Sequence, residues 1–161
     1  MAAHREELEN DPENYCFGCG PSNPKGLRLR FFREGDRLVC DTTFDKWFSN
    51  WPGYVTDHVV AQALDCVSEW TCYDRTGQVA PLERVITKSI QIVVVGEAVH
   101  IVGYVTRRSP ELLTVRAELH QRGELRAELE SELRLVKSLE EFHRLEPEVE
   151  LTPLMRRQLP K

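Results

Sequence analysis

Two groups of residues in this chain have types and spacings that can do chemistry. The first is Cys16-Phe17-Gly18-Cys19-Gly20, a CxxC closed by glycine. Such a pair can be a tight structural turn, half of a metal site shared between subunits, or a redox couple. A single CxxC supplies two metal ligands and no second CxxC or HxxxH follows, so the sequence calls for no metal and no cofactor. A thioredoxin-like redox pair would follow a strand and open a helix, whereas this one precedes a strand among Gly and Pro. The second group is Thr56, Asp57, His58, Asp65, Ser68 and Glu69. Asp65 and Glu69 are four residues apart, which puts two carboxylates on one face of a helix.

The elements that must position these groups follow from periodicity. Val59, Val60, Ala63, Leu64, Val67 and Trp70 recur at steps of three and four, which predicts an apolar helix over residues 58–74 with Thr56 or Asp57 as its N-cap. Before it, Leu27 to Phe32 alternates as a strand, Glu34-Gly35-Asp36 signals a hairpin, and Arg37 to Phe44 returns. Between hairpin and helix, Trp47, Phe48 and Trp51 read as rings capping the core, or as the wall of an apolar cleft. After the helix, four segments rich in Val, Ile, Leu and Thr (83–95, 98–108, 112–121 and 125–137) are separated by Gly96, Ser109-Pro110 and Gly123 and read as an antiparallel meander. The charges Arg116, Glu118, His120, Arg126, Glu128 and Glu130 read as its solvated face. Residues 1–15 are expected as a frayed or loose arm, residues 16–137 as the folded domain and residues 138–161 as a charged tail that opens with the capping box Ser138-Leu139-Glu140-Glu141.

Composition narrows the function. The chain has 161 residues, 41% hydrophobic and 29% charged, enough for one well-packed domain. A net charge of -5 argues against nucleic-acid binding by phosphate attraction. No apolar run is long enough for a membrane span and the start reads as no signal peptide, so a cytoplasmic protein without membrane contact is expected. The five cysteines are expected as reduced thiols, with Cys40, Cys66 and Cys72 in the core.

Two strands, one apolar helix and four further strands make an α+β plan, and this order resembles the hot-dog fold, in which a curved antiparallel sheet of about six strands wraps a central helix. The tag Cys16-Phe17-Gly18-Cys19-Gly20 with Asn23-Pro24-Lys25-Gly26-Leu27 resembles the N-terminal signature of hot-dog acyl-CoA thioesterases of the phenylacetate-pathway branch. Pro52-Gly53-Tyr54-Val55 is similar to that branch's loop into the helix, and Val85-Ile86-Thr87-Lys88 with the Gly96 break to its next strand. The resemblance covers residues 15–137.

This resemblance implies hydrolysis of an acyl-CoA thioester to a carboxylic acid and free CoA, by a homodimer or dimer of dimers. Asp65 falls where the branch carries its helix carboxylate and would be general base or nucleophile. Backbone amides at the helix start would polarise the carbonyl. Nine residues of helix rise ~13.5 Å, so Asp65 would serve the helix start of a second copy. The branch usually has His-Gly-Gly there, and this chain has Thr56-Asp57-His58. Asp57 brings a negative charge towards a developing oxyanion, a feature that favours a non-catalytic acyl-CoA or small-ligand binder as the alternative. His58 could donate to the carbonyl or act as acid or base. Ser68 and Glu69 are expected to help bind or orient substrate and water, and Arg107-Arg108, ahead of Arg84 and Lys88, to meet the CoA phosphates.

Overall fold

The computed structural model describes residues 5–160, leaving out the side chain of Leu154. The expected helix forms as α1 (Asp57–Thr76). Its apolar stripe of Val59, Val60, Ala63, Leu64 and Val67 is buried together with Leu38, Cys40, Ile101, Ala117, Leu119 and Leu129 of the sheet. Full burial of a side chain of this size contributes about 1.5–3 kcal/mol, so the stripe outweighs the weak helix propensity of its β-branched members. Gly77, at φ 70°, ends the helix in the left-handed conformation that glycine adopts without strain.

A single antiparallel sheet curves around this helix. Its strands are β1 (Glu6–Glu7), β2 (Phe32–Glu34), β3 (Arg37–Thr43), β4 (Leu82–Ser89), β5 (Ala98–Arg108), β6 (Leu112–Gln121) and β7 (Glu124–Arg134), in the order β1-β2-β3-β5-β6-β7-β4. This is the hot-dog arrangement, with seven strands rather than six: the start of the chain adds β1 by pairing Glu6 with Arg33 and Glu7 with Phe32. The helix packs tightly on the sheet at Gly103, where an added Cβ would lie 2.2 Å from Thr71 Oγ1 and 2.8 Å from Val67 Cγ1.

Three expectations are corrected. Leu29 and Phe31 are buried as their alternation requires, yet residues 27–31 form no strand. Arg28 sits at φ 52°, and the amides of Leu27 and Leu29 bond to Phe17 O and Gly18 O, so this segment is stitched to the CxxC turn. The strand expected over 83–95 stops at Ser89, because the amides of both Ile90 and Gln91 bond to Arg126 O and turn the chain. The chain then runs back past the helix entry, where Val55 N bonds to Val93 O, and Gln121 clamps Val94 through its N–H and C=O at 2.9 Å each. Lastly, Arg126 is buried and donates to Gln91 Oε1 at 2.5 Å instead of lying on the solvated face.

The C-terminal residues fold back onto the domain as α2 (Leu139–Leu145) and α3 (Pro153–Gln158). Ser138 caps α2 by accepting from Glu141 N at 3.1 Å, and Glu141 accepts from Lys137 N at 2.6 Å, so the box closes one residue earlier than usual. Phe142, Leu151 and Leu159 are buried with Val136 in a small core of their own. Among the described residues no helix is long and apolar enough to cross a membrane.

Candidate functional site

Asp65 lies midway along α1, half-buried, and its Oδ1 is a buried oxygen without a hydrogen-bond partner. Burial, then the nearby Cys16 sulfur, raise its carboxyl above the usual carboxylate range. A carboxylate stripped of donors and kept basic is suited to taking a proton. Glu69, one turn on, is raised as well, by burial and then by Asp65 and Cys16. It sits in a concave position that keeps its surface open to water, on the wall of a cavity of about 170 Å³. Cys16, Cys19, Asn14, Trp70, Ala80 and Met155 share that wall, so the cavity lies between the N-terminal loop, α1 and the folded-back C-terminal residues.

The start of α1 offers the second element. Thr56 is its N-cap, but the Thr56 side chain makes no capping bond, and the amides of Val59 and Val60 both bond to Thr56 O. Among the described residues the backbone N–H groups of Asp57 and His58 are left without an acceptor, the donor pair an oxyanion requires. The Asp57 side chain does not cap the helix either: it is exposed and accepts from Ser89 Oγ at 3.2 Å. The His58 side chain is exposed.

Other expected site residues lie elsewhere. Ser68 is fully buried and shares a hydrogen bond with Ser131 of β7, so its hydroxyl is committed to the core between helix and sheet. Arg107 and Arg108 end β5 beyond Gly103, towards the C-terminal half of α1, away from Asp57 and His58 of the same chain. Arg107 also faces Glu132 at 3.4 Å, while Arg84 and Lys88 lie 3.8 and 4.0 Å from Glu132 and Glu128. Of the aromatic loop only Phe48 packs on the core; Trp47 and Trp51 are 78% and 70% exposed, which corrects their reading as core caps. Near them the chain exposes Tyr54, Ile90 and Ile92, and all eight residues of the edge strand β4 are exposed, including Val85 and Ile86.

The CxxC holds a residue that sequence spacing did not supply. Cys66, expected as a core thiol and indeed fully buried, also meets the turn: its sulfur lies 3.7 Å from that of Cys16. The neighbouring thiols of Cys19 and Cys66 draw Cys16 below the usual thiol range. The cue available in the sequence was only that Cys66 follows Asp65 on a helix.

Comparison with known proteins gives the fold its relatives. No family model matches the sequence. A search of curated proteins gives no significant match. Solved structures do match. One is a thioesterase superfamily protein with a TM-score of 0.69 at 16% identity, over 74% of this chain and 60% of that one. A phenylacetic acid degradation-related protein from Ralstonia eutropha JMP134 matches with a TM-score of 0.61 at 20% identity, over 67% of this chain and 85% of its own. A Streptococcus mutans UA159 protein solved with acetyl-CoA matches with a TM-score of 0.60 at 13% identity, over 66% of this chain and 86% of its own. The chain thus has the fold of thioesterase-superfamily proteins, and spans 60% of the first of these three.

Proposed function

We propose that this protein is an acyl-CoA thioesterase that acts as a homodimer or dimer of dimers, with Asp65 as general base. The observation that carries this reading is the orphaned Oδ1 of Asp65, half-buried on the central helix of a hot-dog fold. In the reaction, Asp65 takes a proton from water as the water attacks the thioester carbonyl. The amides of Asp57 and His58 receive the developing oxyanion, and collapse of the tetrahedral species expels the CoA thiolate. Because Asp65 stands about 10–12 Å along the helix from these amides, the two halves of the site come from different copies. The edge strand β4, which exposes Leu82, Val85 and Ile86 and pairs on one side only, supports such pairing, since an unpaired edge can accept another chain. The acetyl-CoA held by the Streptococcus mutans neighbour supports an acyl-CoA substrate. Five free thiols fit a reducing, cytoplasmic compartment.

The test is thiol release from short, aromatic and long acyl-CoAs by the wild type and by Asp65→Asn. Release by the wild type that falls about 10²- to 10⁴-fold in Asp65→Asn is expected. Release that survives Asp65→Asn unchanged removes Asp65 from the chemistry. Saturable acyl-CoA binding with no release favours the second reading, a non-catalytic binder, for which the Asp57 charge at the helix start is the supporting observation.

A further inference from the structure

The thiols of Cys16, Cys19 and Cys66 converge: all three sulfurs lie within 4.8 Å of one another. The 3.7 Å between Cys16 and Cys66 is close to the ~3.8 Å edge of a tetrahedron with ~2.3 Å zinc–sulfur bonds. All three cysteines are free. We propose that Cys16, Cys19 and Cys66 form a three-thiolate site for one thiophilic divalent cation, with Zn²⁺ the natural occupant, and that its fourth position faces the cavity beside Glu69.

The turn is shaped for this. In Cys16-Phe17-Gly18-Cys19-Gly20 the Gly20 amide bonds to Cys16 O at 2.8 Å, which closes the turn. Such a knuckle lets both sulfurs converge on one side. Gly18 is needed for the third sulfur to arrive, because a Cβ there would lie 2.3 Å from Cys66 Sγ. Gly20 is needed to close the knuckle, since its Cβ would lie 2.5 Å from Asn14 O and Cys16 N.

A second ring of donors surrounds the sulfurs. Trp70 Nε1 and Asn14 Nδ2 donate to Cys19 Sγ at 3.3 and 3.6 Å, and Gln62 Nε2 donates to Cys66 Sγ at 3.4 Å. Three N–H groups aimed at sulfur suit metal-bound thiolates better than neutral thiols, which are weak acceptors. Cys66 and Cys19 are buried, whereas Cys16 is half-exposed and lines the cavity with Cys19, so an incoming fourth ligand has a route. Three protein ligands plus one open position is the pattern of zinc sites that bind an exogenous ligand. The ion would pin the N-terminal loop to α1 beside Asp65. It also revises the subunit-bridging reading of the CxxC, because the third ligand comes from the same chain.

The test uses the full chain, stripped with a chelator and reduced, and titrated anaerobically with Co²⁺ as a spectroscopic probe. One equivalent per chain is expected to give a sulfur-to-cobalt charge-transfer band and tetrahedral ligand-field bands, both removed by Zn²⁺. Cys16→Ser and Cys66→Ala are expected to lose the band, and Cys72→Ala, on the same helix, to keep it. Circular dichroism reports folding, and Cys16→Ser decides if the Cys66 variant unfolds, because Cys16 is only half-buried. No charge-transfer band in the reduced wild type overturns the proposal. So does a band of unchanged intensity in folded Cys16→Ser, or a Cys16–Cys66 disulfide in the isolated protein whose reduction restores no Co²⁺ uptake.

Discussion

The Asp57 carboxylate accepts a hydrogen bond from Ser89 Oγ at 3.2 Å, tying the first residue of α1 to the last residue of β4. The bond restrains the Asp57 carboxylate at the helix start, where the amides of Asp57 and His58 are free. An exposed neutral donor contributes about 0.5–1.5 kcal/mol, so Ser89→Ala should lower kcat/KM for acyl-CoA about 2- to 12-fold. Adding Asp57→Asn should restore it by removing the charge that Ser89 restrains. Steady-state thiol release by the single and double variants checks this; an unaffected Ser89→Ala would show that Asp57 does not touch the reaction.

The edge strand gives a second prediction. In β4, Val85 and Ile86 point to opposite faces and are 44% and 47% exposed, with β7 paired along one side only. Sedimentation should find the wild type as a dimer or larger, and Ile86→Lys should shift it towards monomer. If the site is shared between copies, thiol release should fall in proportion to the monomer fraction. A wild type that sediments as a monomer at micromolar concentration would remove the shared-site mechanism.

How legible these features were depended on how local their causes are. The central helix was readable because its apolar stripe and its Gly77 stop are written in neighbouring residues. Asp65 and Glu69 were readable as one face for the same reason. Residues 27–31 misled because alternation reports burial and not partners: Leu29 and Phe31 are buried, but the amides that would pair in a strand go to Phe17 and Gly18. The early end of β4 was hidden because its cause, Arg126 O, lies 36 residues beyond Ile90. Cys66 was hidden in the same way, 50 residues from Cys16. The burial of Ser68 was hidden because periodicity alone did not reveal that Ser131 stands opposite it on the sheet.

The contact between α1 and the sheet predicts a stability effect. Gly103 faces Thr71 and Val67, both fully buried, and Thr71 Oγ1 is already committed to Val67 O at 2.7 Å. Gly103→Ala must displace the helix or force a rotamer, a strain of about 1–3 kcal/mol. Each kcal/mol lowers Tm by about 2–4 °C for a chain of this size. Thermal unfolding followed by circular dichroism should show that loss; an equal or higher Tm would mean that the helix rides further from the sheet.

A charge cluster on the outer face of the sheet predicts a pH effect that is separate from the site. Burial opposes ionisation of Glu118, but the Tyr104 hydroxyl at 2.8 Å, His120 at 3.2 Å and Arg116 at 3.2 Å outweigh it and hold its carboxyl below the usual range. A carboxyl with a lowered folded-state value binds fewer protons folded than unfolded. Its stabilisation is therefore complete above its ordinary value near 4.5 and is lost as pH falls through the lower folded value. Glu118→Gln should be less stable than wild type at pH 7, by about 0.2–1 kcal/mol because the group is partly exposed to solvent. The gap should close in acid as the wild-type carboxylate protonates. Urea unfolding of both proteins across that range measures it, and a gap that persists unchanged at the acid end would assign the loss to altered packing around Tyr104 rather than to charge.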